Sequence, residues 1–290
     1  MFRDDSMKGL RVLITGGGSG LGLAMAELFL ALGASVALCG RSDDRLQQAK
    51  RTLLDAQPGA EVFVQATDVR DADQVTALFD ALAASGPVVN GLVNAAAGNF
   101  YCASEDLTPN GFRAVVDTVL VGTFNCTQQF GKRLIAQKLP GTILNIVTTY
   151  TQTGSAFVLP SACAKAGVAA MTTTLAYEWA TYGIRANAIA PGPIPTEGAW
   201  QRLVPSKDFE DRYRKRLPMG RFGTPAELAQ LAAFLLSDMS AYISGAVVAM
   251  DGAEHLQGGE FNFLAQLMPR DELKQLFGAV KERTKAAAGE

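Results

Sequence analysis

A single histidine, His255, serves a chain of 290 residues. A Ser-His-Asp triad or a histidine-rich zinc centre would rest on that one side chain, so hydrolase and metalloenzyme readings start with little support. The four cysteines (Cys39, Cys102, Cys126 and Cys163) form no CxxC pair and fall inside apolar segments. That pattern predicts reduced, buried thiols of a cytosolic protein. Neither sign of charge dominates: 26 Lys and Arg stand against 28 Asp and Glu, a net charge of −2. The balance points to neither a nucleic-acid nor a membrane partner. No apolar run approaches the roughly 18 residues that suggest a membrane span. The first eight residues mix Arg3 with Asp4 and Asp5, which suits no targeting peptide, and Ala286 to Glu290 is no peroxisomal address. A cytoplasmic protein is the expectation.

The hydrophobic fraction, 48%, is enough for one large α/β domain over residues 1–290. Short apolar runs read as strands: Arg11 to Thr15, Ser35 to Cys39, Glu61 to Ala66, Asn90 to Asn94, Thr142 to Thr148, Arg185 to Ala190 and Ala246 to Met250. Helical patterns alternate with them at Leu21 to Leu32, Asp43 to Ala56, Asp71 to Ala84, Pro109 to Gln137, Ser161 to Tyr182 and Pro225 to Leu236. This rhythm predicts a Rossmann-like, doubly wound parallel sheet with helices on both faces. Thr224-Pro225-Ala226-Glu227 carries the signature of a capping box with proline at the first helical position. Residues 193–223 break the rhythm with prolines and charges and read as an irregular inserted substrate lobe, a lid over the carboxyl ends of the strands. Residues 258–290 read as a C-terminal extension ending in a charged helix, Asp271 to Lys285.

The run Thr15-Gly16-Gly17-Gly18-Ser19-Gly20-Leu21-Gly22 lies between the first strand and the first helix. In that context Gly16, Gly20 and Gly22 let the backbone turn tightly beside a pyrophosphate, and the helix amides beyond, with Gly18, Ser19 and Leu21, complete a dinucleotide cradle. The second strand ends in Cys39-Gly40-Arg41-Ser42, with a guanidinium where a carboxylate would bind ribose hydroxyls. Arg41 therefore favours NADP(H) over NAD(H), through a 2′-phosphate. Ser161 and Lys165, four apart, share one helix face.

The glycine loop together with Ser161-Ala162-Cys163-Ala164-Lys165 resembles the short-chain dehydrogenase/reductase family. There, the residue four before the lysine is a tyrosine that protonates a carbonyl. Here it is Ser161, and the nearest upstream tyrosine is Tyr150. Ala96-Ala97-Gly98-Asn99-Phe100, Thr149-Tyr150, Pro191-Gly192-Pro193-Ile194 and Gly259-Glu260-Phe261-Asn262 narrow the resemblance to the 2,4-dienoyl-CoA reductases of the mitochondrial type. That resemblance implies NADPH-dependent reduction of a 2,4-dienoyl-CoA to a 3-enoyl-CoA in the β-oxidation of unsaturated fatty acids. It implies Tyr150 and Asn99 as donors to the thioester oxygen, with Ser161 and Lys165 organising donor and cofactor. Asp68 and Val69, Asn94, and the loop Pro191 to Ile194 join Lys165 in the implied cofactor set; Arg70, Phe100, Thr108 and Arg202 match acyl-CoA contacts. A homotetramer built on the helices opening at Pro109 and Ser161 is implied as well. One position departs: Val121 stands where the family carries an asparagine, so a proton relay through that side chain is absent.

The displaced tyrosine bears on the chemistry. Reduction of a ketone needs its acid beside the carbon that is reduced, whereas a conjugated thioester collects charge on an oxygen several bonds away. Two other readings stay open at this point: an oxidoreductase acting on a keto or hydroxy substrate, and an NADP-binding protein without turnover.

Overall fold

The computed structural model describes residues 2–196, 200, 204 and 206–288, with side chains to residue 284. The chain divides into two compact units, Met1–Gly252 and Ala253–Glu290.

In the first unit the apolar runs become β1 (Arg11–Thr15), β2 (Ser35–Gly40), β3 (Val62–Ala66), β4 (Gly91–Asn94), β5 (Gly141–Ile146), β6 (Ile184–Pro191) and β7 (Val247–Met250). They form one sheet in the order β3-β2-β1-β4-β5-β6-β7, every adjacent pair parallel. In β1, Ile14 stands opposite Leu38 of β2 and Val93 of β4. The sheet reverses its winding between β1 and β4, which opens a crevice at their carboxyl ends.

Alternation along β1 shows why both faces are covered. Val12 and Ile14 pack into one apolar cluster and Leu13, between them, into another, and all three are fully buried. The first cluster is closed by α1 (Gly20–Ala31), α2 (Asp43–Ala56) and the helix Pro225–Leu236. The second is closed by α3 (Ala72–Ser85) and α5 (Gly122–Gln137). A smaller cluster joins α4 (Pro109–Val116) to α7 (Leu159–Glu178) through Val115, Ala164 and Val168.

Several segments differ from their expected form. The expected helix from Pro109 to Gln137 is interrupted by a π-helical turn, Asp117–Val121, between α4 and α5. Such turns add a residue to the helix and re-aim the side chains beyond it. Tyr150 opens a one-turn helix, α6 (Tyr150–Thr153), which Gly154 ends at φ +70°. The lobe expected to be irregular contains α8 (Lys207–Arg216), capped by Ser206, with acidic residues in its first turn and Arg214, Lys215 and Arg216 in its last. That charge order suits the helix dipole, and the density of charge hid the helix from a search for apolar periodicity. Trp200 and Tyr213 lie parallel in this lobe and Phe222 meets both edge to face, with Arg214 over the Phe222 ring. The helix Pro225–Leu236, here α9, carries the expected capping box.

The cysteines correct another expectation. Cys39 and Cys126 are buried, but Cys102 is only half-buried and Cys163 is exposed. Cys163 lies midway between Ser161 and Lys165 on α7, a spacing that turns it away from the face those two share.

The second unit holds a 3-10 turn, Glu254–Gly258, the short α10 (Leu264–Leu267) and α11 (Arg270–Ala288). Among the described residues, no helix is long and apolar enough to cross a membrane.

Candidate active site

The nucleotide end is built by α1. Ser19 occupies its N-cap position but makes no side-chain cap hydrogen bond, and the first turn carries no acidic residue. By contrast α2, α3, α4, α8 and α9 are each capped by their own side chain. The first-turn amides of α1 are therefore kept for an external acceptor. Two glycines make the approach possible. Gly16 adopts φ +69°, and a Cβ on Gly22 would lie 2.5 Å from the Gly16 carbonyl oxygen. Gly20 also has a positive φ, and Thr196 stands 3.4 Å from where its Cβ would be, so the segment that follows Pro191 to Ile194 passes over the start of α1.

From this loop a cavity of about 220 Å³ runs to the end of β2, lined by Gly16, Gly18, Ser19, Arg41, Asp68 and Val69 among others. Arg45, in the first turn of α2, lines it too. Sequence reading missed this second arginine, although its spacing of four from Arg41 on a helix start was a usable signal. Neither guanidinium pairs with a carboxylate among the described residues. The residues fit a dinucleotide: a glycine cradle a Cβ would fill, uncapped helix amides, and two arginines in line with no ion-pair partner among the described residues.

Two larger cavities, about 690 and 470 Å³, open at the opposite, amino-terminal edge of the sheet, beside Leu10. Arg185 borders the larger, but its guanidinium is bonded to the carbonyls of Leu235, Leu236, Ser237 and Ile243. Size does not mark the site here; chemistry does.

Asp68 and Arg70 are a pair. The Arg70 Nε donates to both Asp68 carboxylate oxygens, at 2.9 and 3.0 Å. That guanidinium holds the Asp68 carboxyl below the usual carboxylate range. Asn94 is buried, its Nδ2 donating to Thr127 Oγ1 at 3.0 Å and to Asn145 Oδ1 at 2.8 Å. Asn145 in turn donates to Thr172 of α7 at 2.8 Å. This polar chain ties β4, β5, α5 and α7 together beneath the crevice, so Asn94 acts on the floor of the site.

The candidate catalytic side chains of α6 and α7 lie at the end of β5. Lys165 is buried on α7 and its Nζ donates to the Ile146 carbonyl at the end of β5. Burial pushes its ammonium down to about 8. One turn earlier, buried Ser161 lies 3.0 Å from the hydroxyl of half-buried Tyr150. The tyrosine that sequence spacing leaves far from the lysine helix is thus brought onto it by the turn of α6. Asn99 follows β4, and its Oδ1 accepts the Phe100 amide at 2.9 Å, so the side-chain NH2 is the group it has left to donate. Phe100 lies 3.4 Å from the position a Gly111 Cβ would take, at the start of α4. Thr108 caps that helix, accepting the Gly111 amide at 3.1 Å. Val121 is 38% exposed on the π-helical turn. Arg202 lies outside the described residues. Among those described, no cluster of metal-ligating side chains is present.

A parallel sheet reversing at β1, a glycine cradle at that reversal and a buried lysine one turn beyond a buried serine on the same helix are the marks of a dinucleotide-dependent oxidoreductase. A family model described as enoyl-(acyl carrier protein) reductase matches residues 16–253. The chain is 45% identical over 247 residues to a Bacillus subtilis protein named probable 2,4-dienoyl-CoA reductase, (2E)-enoyl-CoA-producing, covering 84% of this chain and 96% of that one. It is 42% identical over 258 residues to a Caenorhabditis elegans protein named probable 2,4-dienoyl-CoA reductase 3, (3E)-enoyl-CoA-producing, covering 88% and 83%. Among solved structures, a short chain dehydrogenase from Bacillus anthracis superimposes with a TM-score of 0.80 at 42% identity, over 87% of this chain and 99% of that one. The chain belongs to the short-chain dehydrogenase/reductase family, and 2,4-dienoyl-CoA reductases are among its relatives.

Proposed function

We propose that this oxidoreductase uses NADPH to reduce a 2,4-dienoyl-CoA to a 3-enoyl-CoA in the oxidation of unsaturated fatty acids. The observation that carries the reading is the 3.0 Å contact between Tyr150 and Ser161. It gives the lysine helix a phenol that does not grow from it, so the donor stands away from the position an acid on α7 itself would hold.

The residues divide the work. Gly16, Gly18, Ser19, Gly20, Leu21 and Gly22 hold the pyrophosphate, and Arg41 with Arg45 holds the 2′-phosphate, which supports NADP(H). Asp68, Val69 and the loop Pro191 to Ile194 line the rest of the dinucleotide, over Asn94, and Lys165 binds the nicotinamide ribose. When bound, the reduced nicotinamide supplies two electrons and a hydrogen to the carbon farthest from the thioester. Charge then develops on the thioester oxygen, where Tyr150 and Asn99 donate hydrogen bonds. Ser161 orients the Tyr150 hydroxyl. Arg70, Phe100, Thr108 and Arg202 are the proposed acyl-CoA contacts, and a cytoplasmic homotetramer of single-domain subunits is the proposed assembly.

The test follows NADPH absorbance with 2,4-hexadienoyl-CoA. Turnover is expected, with Tyr150→Phe and Asn99→Ala each lowering kcat about 10²- to 10³-fold. Undiminished turnover in the double variant, or a preference for acetoacetyl-CoA, would overturn the assignment.

A further inference from the structure

The cavity that takes the dinucleotide has a wall for which the cofactor residues named so far do not account. Thr118 lines it, together with Asp68, Val69 and Ala96. We propose that the Thr118 hydroxyl accepts the exocyclic amino group of the adenine base, and so reads adenine in the cofactor. This goes beyond the dienoyl-CoA chemistry and rests only on the NADP(H) part of that reading.

Placement begins with the π-helical turn. There the Gly122 amide bonds back five residues to the Asp117 carbonyl, a widened turn of the kind frequent at functional sites. Two contacts press the start of α5 onto the loop after β3. A Cβ on Gly122 would lie 2.5 Å from Val69 Cγ2, so the approach needs glycine. Asn125 Nδ2 donates to the Val69 carbonyl at 2.9 Å and to the Arg70 carbonyl at 3.3 Å. Thr118, half-buried on the turn before Gly122, is thereby held at the cavity wall. Its Oγ1 donates to the Ala114 carbonyl at 2.8 Å, which commits its proton to the helix. A hydroxyl carries one proton and two lone pairs, so what Thr118 offers a ligand is an acceptor.

The other side-chain acceptors of this cavity are engaged or stand at the wrong end. Arg41 and Arg45 take the 2′-phosphate of the ribose, and the amino group lies on the far side of the base from that ribose. Ser19 stands at the pyrophosphate end, and Ser42 caps α2 beside the arginines, accepting the Arg45 amide. Thr67 is buried, with its hydroxyl on the Gln65 carbonyl. Asp68 is saturated by Arg70. Its Oδ1 accepts the Arg70 amide and Nε, and its Oδ2 accepts Nε and Nη2. Thr118 remains, on a stretch of helix separate from the one that carries Arg45.

Direct binding tests this without turnover. Deamino-NADPH, in which hypoxanthine replaces adenine, carries a carbonyl oxygen in place of the amino group and sets oxygen against oxygen at Thr118. In calorimetric titrations, wild type is expected to bind NADPH about three- to tenfold more tightly than deamino-NADPH, the worth of one neutral hydrogen bond. Thr118→Val, close to the same shape, should weaken NADPH until the two affinities agree within about twofold. Thr118→Ala should do the same, and Thr118→Ser, which keeps the hydroxyl, should restore the ratio. Wild type that binds the two dinucleotides alike, or hydroxyl-free variants that still separate them as wild type does, overturn the role of Thr118 and leave the NADP(H) reading standing. A wild-type protein that binds neither dinucleotide overturns both.

Discussion

Helices α1 and α9 have the same length, twelve residues, and pack against each other on one face of the sheet. Their amino-terminal ends are opposites. At α9, Thr224 accepts the Glu227 amide at 3.2 Å while Glu227 accepts the Thr224 amide at 2.9 Å, and Pro225 has no amide to leave unpaired. At α1 the N-cap serine makes no such bond, and glycines occupy positions where a side chain would collide. One end is closed by its own residues and serves stability. The other leaves its amides for a ligand, so its energy is gained on binding.

Substitutions can sharpen this contrast, and the largest effect is expected at α1. Gly22→Ala puts a Cβ 2.5 Å from the Gly16 carbonyl oxygen. It should lower stability by about 1–3 kcal/mol, as overpacking does, and weaken dinucleotide binding at least tenfold by about the same displacement of the loop. Thermal denaturation with and without NADPH measures both; a variant that melts earlier yet is stabilised by NADPH as well as wild type would break the comparison. Next comes the far end of the same cavity. Arg41→Ala with Arg45→Ala should lower the preference for NADPH over NADH by about ten- to a hundredfold, since charge-assisted bonds are worth about 1.5–3 kcal/mol, without changing the melting temperature of the unliganded protein. Titration with each dinucleotide reads this directly.

At α9 the expectation is reversed. Thr224→Ala should cost about 1 kcal/mol of stability, roughly 2–4 °C in Tm, and leave dinucleotide affinity unchanged. The smallest effect lies in the pH dependence of the same box. The Arg221 guanidinium, helped by the Thr224 amide, pulls the Glu227 carboxyl from its ordinary 4.5 down to about 2. A carboxylate with a depressed value stabilises above its unfolded value and loses that contribution as pH falls through its folded one. The stability deficit of Glu227→Ala should therefore be complete above pH 4.5 and vanish as pH falls through about 2, a trend that denaturant titrations across that range would expose.

The same two helices show how far residues can be read before folding. The bounds of α9, Pro225–Leu236, follow from its capping signature and apolar periodicity, and β1 and α2 also fall where their patterns put them. Short, strong local signals set these elements. The π-helical turn at Asp117–Val121 and α8 at Lys207–Arg216 were not legible, because one is a local rearrangement inside a helical pattern and the other is too charged to show an apolar face. The glycine loop announced its cavity, and the first turn of α2 brings Arg45 into it, a placement that its spacing from Arg41 only hinted at. The pairing of Arg70 with Asp68 was likewise supplied by the structure, and it leaves the expected ligand contact of Arg70 open to test.

By itself the order of residues determined the alternation of strand and helix, the cradle at Gly16 to Gly22 and the shared face of Ser161 and Lys165, because each depends on neighbours within about one turn or one strand. Tertiary structure alone decided that Tyr150 reaches Ser161 and that Cys102 is tied to Phe157. It also decided that Asn94 serves the floor of the crevice. Those contacts join segments whose separation along the chain carries no signal, and packing the two faces of one sheet is what brings them together.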